Sequence, residues 1–237
     1  MPISGNATYL PTADAFITHW TAANTVLGVG NPVITAKGTA LAGLSAERGN
    51  LAGAFVNVTH AINSVETARA TLATTRARAS QLISAFNSAV RGRLGGSSFV
   101  PALPAVPGSK DSAAIVAQAA DDAANLWEQI NDQDASPGFT PPLVLSVPPE
   151  GNPLADPVSL DMADFNTVLA KLKTDTTVLS SAEQNLIMAR DDRDLSKKRL
   201  YEILKDYRSA IPGYFAVGTP MRESLPALSP APPAALS

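Results

Sequence analysis

Apolar residues recur at intervals of three, four and seven over two long stretches, which is the signature of an amphipathic helix. The first carries Leu44, Leu51, Phe55, Val58, Ile62, Val65, Leu72, Leu82, Phe86, Val90 and Leu94, and stops at Gly95-Gly96. The second carries Phe165, Leu169, Leu172, Leu179, Ala182, Leu186, Ala189, Leu200, Leu204, Tyr207 and Ile211. Asp161 and Asp164 suit its positive end, and Pro212-Gly213 should stop it. A helix of roughly 50 residues extends about 75 Å. Gly43, Gly49 and Gly53 each cost about 1 kcal/mol against alanine, so the first long helix can begin as late as Ala54. Shorter amphipathic segments run from Thr12 to Leu27 and from Asp111 to Ile130, with Thr12 and either Ser109 or Asp111 as caps.

Proline marks what lies between these helices, because it interrupts helix interiors and central strands alike. None occurs from Val33 to Val100 or from Val158 to Ile211. The stretch from Asp132 to Pro157 is proline-rich and too long for an ordinary helix connection, so it is expected to be extended and pinned at Leu143, Val144 and Leu145. Residues 220–237 have the composition of an extended proline-rich tail.

One half of the chain lies over the other. Trp20-Thr-Ala-Ala-Asn24 matches Trp127-Glu-Gln-Ile-Asn131, and Asn31-Pro-Val-Ile34 matches Pro141-Pro-Leu-Val144. In the long helices Glu66 falls on Glu183, Arg76 on Arg193, Phe86 on Ile203 and Val90-Arg91 on Tyr207-Arg208. Val100-Pro-Ala-Leu-Pro104 resembles Leu225-Pro-Ala-Leu-Ser229. The expected fold is therefore all-α: one helical domain of two similar halves, about 12–108 and 111–237, each a short helix, a proline loop, a long helix and an extended tail. A lone helix of such length cannot bury its apolar stripe, so the two long helices should pack antiparallel as an elongated hairpin, with the short helices completing a four-helix bundle. Trp20, Trp127, Phe86 and Tyr207 are the expected core anchors. Leu143, Val144, Leu145, Leu225 and Leu228 are candidates for contact with a partner.

The formal net charge is -3, which gives no global field to attract a nucleic-acid backbone or an anionic membrane. The segments differ, however. Leu41 to Arg93 carries six basic residues against two acidic, and Lys110 to Pro157 one basic against eight acidic, so these two should complement each other. The run Arg190-Asp-Asp-Arg-Asp194 with Lys197-Lys-Arg199 reads as a solvated helical face.

No cysteine is present, so disulfides, zinc thiolates and cysteine nucleophiles are excluded. His19 and His60 lack the spacing of a metal site and suit surface or boundary positions. Asp191, Asp192 and Asp194 lack the glycine and terminal glutamate of a calcium loop, and no phosphate loop or nucleophile elbow occurs. No metal, cofactor or catalytic residue is expected. The amino-terminal residues show no secretory signal and no stretch of membrane-spanning length, which points to the cytoplasm rather than export without a signal. Trp20 and Trp127 are followed two residues later by Ala22 and Gln129, so the Trp-x-Gly turn of small helical secreted proteins is missing. The expected function is non-enzymatic: a helical subunit of a homo-oligomer or filament with tails contacting neighbouring copies. The alternative is an exported or cytoplasmic helical adaptor or effector that binds another protein.

Overall fold

The computed structural model describes residues 5–133, 139–150, 152 and 155–228. The fold is all-α, with five helices among the described residues: α1 (Asn6–Leu27), α2 (Leu41–Arg93), α3 (Ala113–Asn131), α4 (Met162–Tyr214) and α5 (Pro220–Glu223). The two long helices have the same length, 53 residues. A 3-10 turn at Val100–Ala102 follows α2. A two-stranded antiparallel ribbon, β1 (Leu145–Val147) and β2 (Val158–Leu160), precedes α4.

The chain divides into two compact units, and neither coincides with a half of the sequence. The first unit combines Met1–Ile62 with Asn185–Ser237, and the second is Asn63–Gln184. Each unit thus takes the start of one long helix and the end of the other. The core of the first unit is built from Phe16, Trp20, Leu44, Leu51, Leu200, Leu204, Tyr207 and Ile211. In the second, Leu82, Ile83, Phe86, Val90, Trp127, Leu143, Leu145 and Phe165 play this part. Within the second unit the long helices run antiparallel, since Arg69 pairs with Glu183 while Thr75 bonds Asp175.

The helix bounds decide one open expectation, the start of α2, and correct three others. α2 begins at Leu41, before all three glycines, because Leu44 and Leu51 are fully buried and their burial outweighs the glycine cost. Gly49 and Gly53 are exposed, with open space where a Cβ would stand. Gly49→Ala combined with Gly53→Ala is therefore expected to stabilise the protein by about 1 kcal/mol per site, read as a rise in thermal midpoint. Gly95→Ala is expected to act the other way, since its Cβ would lie 2.8 Å from the Arg91 carbonyl oxygen.

α1 begins at Asn6 rather than Thr12, so Thr12 is an interior, buried position and not a cap. The Thr8 hydroxyl accepts from Gly5 N at 3.3 Å, and the buried Tyr9 ties this turn to the core, so Pro11 removes one bond without ending the helix. α3 is capped by Ser112, whose hydroxyl accepts from Ile115 N at 3.3 Å, and not by Ser109 or Asp111. The Asp111 carboxylate instead closes a turn by accepting from Gly108 N at 2.7 Å. α4 continues past Pro212 to Tyr214. Its last turn is anchored by the buried Phe215 and by Tyr214, whose hydroxyl accepts from Ile34 N at 3.1 Å.

The connector after α3, expected to be extended and pinned at Leu143 to Leu145, enters a strand at Leu145, which pairs with Leu160 in the ribbon. Residues 134–138 of that connector and the tail beyond Leu228, including Ser229, lie outside the described residues.

Candidate functional site

The most specific polar geometry in the molecule is a clamp that each unit builds from the same residue types. In the first, Trp20 Nε1–H donates to the Val33 carbonyl at 3.2 Å, and Val33 N–H donates to Asn24 Oδ1 at 2.8 Å. In the second, Trp127 Nε1–H donates to the Leu143 carbonyl at 3.1 Å, and Leu143 N–H donates to Asn131 Oδ1 at 2.8 Å. The chemistry follows from helix spacing. Tryptophan and asparagine four residues apart lie on one face, so together they can hold both backbone groups of a single loop residue. Those backbone groups are buried, where an unpaired one would be costly.

Both indoles then stack on a ring from the end of a long helix. Trp20 lies 4.2 Å from Tyr207 at 22° between planes, and Trp127 lies 5.3 Å from Phe86 at 28°. All four expected anchors, Trp20, Trp127, Phe86 and Tyr207, are fully buried. Around them the buried positions keep step. In α1 these are Tyr9, Thr12, Ala13, Phe16, His19, Trp20 and Ala23; in α3 they are Val116, Ala119, Ala120, Ala123, Leu126, Trp127 and Ile130, with identical spacing. The residue after each stacking ring holds a tail carbonyl: Asn87 donates to Pro104 O at 2.8 Å and Arg208 to Pro226 O at 2.5 Å.

The units differ at His19, which is buried rather than at the surface. Its Nε2 lies 2.8 Å from the Met221 carbonyl, which can only accept, so Nε2 carries the proton. In the neutral ring Nδ1 accepts from the Tyr207 hydroxyl at 2.6 Å. Burial pushes the Tyr207 hydroxyl above the ordinary tyrosine range and keeps it a donor. The counterparts in the second unit, Leu126 and Phe86, are apolar. His19 thus holds α5 through Nε2 and the end of α4 through Nδ1. No local pattern around His19 signals this role, because Met221 is remote along the chain.

Leu143 and Leu145 are fully covered in their own unit, which removes them as partner contacts; Val144 is half-buried. Leu225 and Leu228 are also half-buried, against the core of the first unit. The expected pairing of basic α2 with the acidic connector does not take the form of ion pairs among the described residues. Arg76 and Arg78 bond carbonyls instead, those of Asp111 and Pro148, because a loop lying along a helix presents carbonyl oxygens to a long guanidinium. The run around Arg193 is only partly solvated. Arg193 and Lys197 both bond Asp194, and Lys197 reaches over the Tyr9 and Phe55 rings at 5.8 and 5.9 Å.

Asp175 in the second unit accepts from Thr75 at 2.6 Å and from Lys171 at 2.8 Å. Burial pushes its carboxyl up, but the bonds from Lys171 and Thr75 and the lysine charge together hold it below the ordinary aspartate range. A lowered folded value stabilises the fold above the unfolded carboxylate range and is lost as pH falls through the folded value. Wild type is thus expected to exceed Asp175→Asn in stability near neutrality, with the difference vanishing below about pH 3 in a series of denaturant melts.

Among the described residues no group of three or more histidine, aspartate or glutamate side chains could hold a metal ion. No described helix is long and apolar enough to cross a membrane. No protein-family model, curated protein or solved structure matches the chain.

Proposed function

We infer that this chain is a non-enzymatic structural protein, built from a helical unit used twice, that works by contact with further copies of itself. The observation that carries the reading is a set of three exposed large apolar residues on α4 within the first unit. Ile187, Met188 and Leu195 are 59%, 50% and 46% exposed on a helix whose other face already fills the core. Met188 and Leu195 stand two turns apart on one face, with the exposed Asp191 and Asp192 on the turn between them and Ile187 to one side. Single exposed apolar residues need no explanation, whereas three large ones within nine positions of one helix are a ground for association.

The use made of the polar residues supports the same reading. Trp20, Trp127, Asn24, Asn131 and His19, the side chains best equipped for recognition or proton transfer, are spent on holding loops and α5 in place. The repetition of the clamp and of the buried spacing suits duplication of a framework, in which the same packing problem is solved twice.

Light scattering coupled to size exclusion tests the proposal, using wild type beside Met188→Glu/Leu195→Glu. Wild type is expected at a multiple of the 24.6-kDa chain and the doubly substituted protein at 24.6 kDa, with unchanged helicity. A wild type that stays at 24.6 kDa at every concentration, unaffected by the substitutions, overturns it.

A further inference from the structure

On α4 of the first unit, charge of opposite sign stands on either side of Leu195. Asp191 and Asp192 precede it by four and three residues, and Lys198 and Arg199 follow it by three and four. At 3.6 residues per turn these positions fall within about 60° of Leu195, so all five share one face of the helix. All five are exposed. The charges beside them are already used, since Arg193 and Lys197 both pair with Asp194. Asp191, Asp192, Lys198 and Arg199 enter no ion pair among the described residues.

Such a face can meet a second copy of itself in few ways. A parallel pair sets like charge against like in register and, shifted by seven residues, leaves half of the charges unmet. An antiparallel pair with Met188 over Leu195 brings Asp191 and Asp192 of both copies together at the centre, where they repel. An antiparallel pair with Leu195 on the two-fold axis differs from both, because the acidic pair of each copy then meets the basic pair of the other. Charges that flank an apolar seam set orientation and register in this manner, while each exposed pair adds only about 0.2–1 kcal/mol. The same register carries the exposed Met188 of each copy to the turn beyond Arg199 of the other. An open groove of about 380 Å³ lies there, bounded by Leu195, Arg199, Glu202 and Ile203 among others, and a flexible thioether side chain suits such a recess.

We propose that two copies associate through this face, antiparallel about Leu195, as a closed two-fold dimer. The inference rests on the self-association read above and names the surface that it uses: α4 of a second copy, whose Lys198 and Arg199 lie against Asp191 and Asp192. The apolar residues supply the affinity and the charges the register. An isologous contact uses the face up, so association stops at two.

The test is the mass of the full chain by light scattering across a dilution series, with helicity followed by circular dichroism. Wild type is expected at twice the chain mass. Asp191→Lys/Asp192→Lys and Lys198→Asp/Arg199→Asp each oppose like charges, and each is expected to weaken the dimer at least tenfold with unchanged helicity. An equimolar mixture of the two is expected to dimerise again, as is the chain that carries all four substitutions. Failure of either the mixture or the fourfold variant to dimerise overturns the proposal, and so does a wild-type mass above twice that of the chain. A wild type that associates, is dissociated by Met188→Glu/Leu195→Glu and ignores the charge reversals overturns this pairing alone and leaves self-association in place. A wild type that is monomeric at every concentration overturns both.

Discussion

Trp127→Ala is expected to cost about 3–5 kcal/mol, the range for truncating a buried aromatic in a packed core. For a chain of this size that lowers the thermal midpoint by about 6–20 °C in a melt followed by circular dichroism. Three losses combine. The indole stacks on Phe86 and lies 5.5 Å from Phe165, so its removal opens a cavity between two helices. The Leu143 carbonyl loses its donor. The loop behind it, which leads into β1, is then held by Asn131 alone. Trp20→Ala is expected to cost about as much, because Trp20 makes the matching bond and stack. A shift of a degree or two in either variant would remove these tryptophans from the framework.

The second large effect is expected where the units differ. Tyr207→Phe removes the donor to His19 Nδ1 and leaves a buried acceptor unpaired, a cost of about 1–3 kcal/mol. His19→Leu/Tyr207→Phe installs the pair that the other unit carries as Leu126 and Phe86. The double variant should then be less destabilised than the sum of the single ones, with a coupling of about 1–3 kcal/mol in denaturant melts. Additive costs would mean that the 2.6 Å contact contributes nothing specific.

The residues that make the clamp were visible in the sequence because they are distinctive. Tryptophan and asparagine four apart, twice, with a hydrophobic residue caught downstream, leave little room for an alternative alignment. The register of the long helices was not legible in the same way. Overlaying Phe86 on Ile203 differs by four residues from the arrangement found, in which Phe86 and Tyr207 take the same place against a tryptophan. Four residues are close to one helical turn of 3.6, so an apolar stripe slid by one turn matches itself almost as well. In the observed register Leu44, Leu51, Ile83 and Val90 fall on Phe165, Leu172, Leu204 and Ile211, all of them buried.

Helix ends misled for a related reason. Pro11, Pro212 and the glycines of α2 are local signals, and each is overridden by a buried side chain close by: Tyr9, Phe215, and Leu44 with Leu51. The partition into units was hidden for a topological reason. The sequence repeats half by half, but compactness follows the partners that each stretch of long helix finds, and those come from both halves.

The account rests on the tryptophans acting as fixed parts of the frame rather than as recognition groups. Exchange of the two indole N–H protons in heavy water, followed by two-dimensional NMR, tests this most directly. Both indole signals are expected to persist for hours, as slowly exchanging as the core amides of α2 and α4, because each proton is buried and bonded to a carbonyl. Loss of either signal within minutes would show a ring open to solvent and would contradict the account.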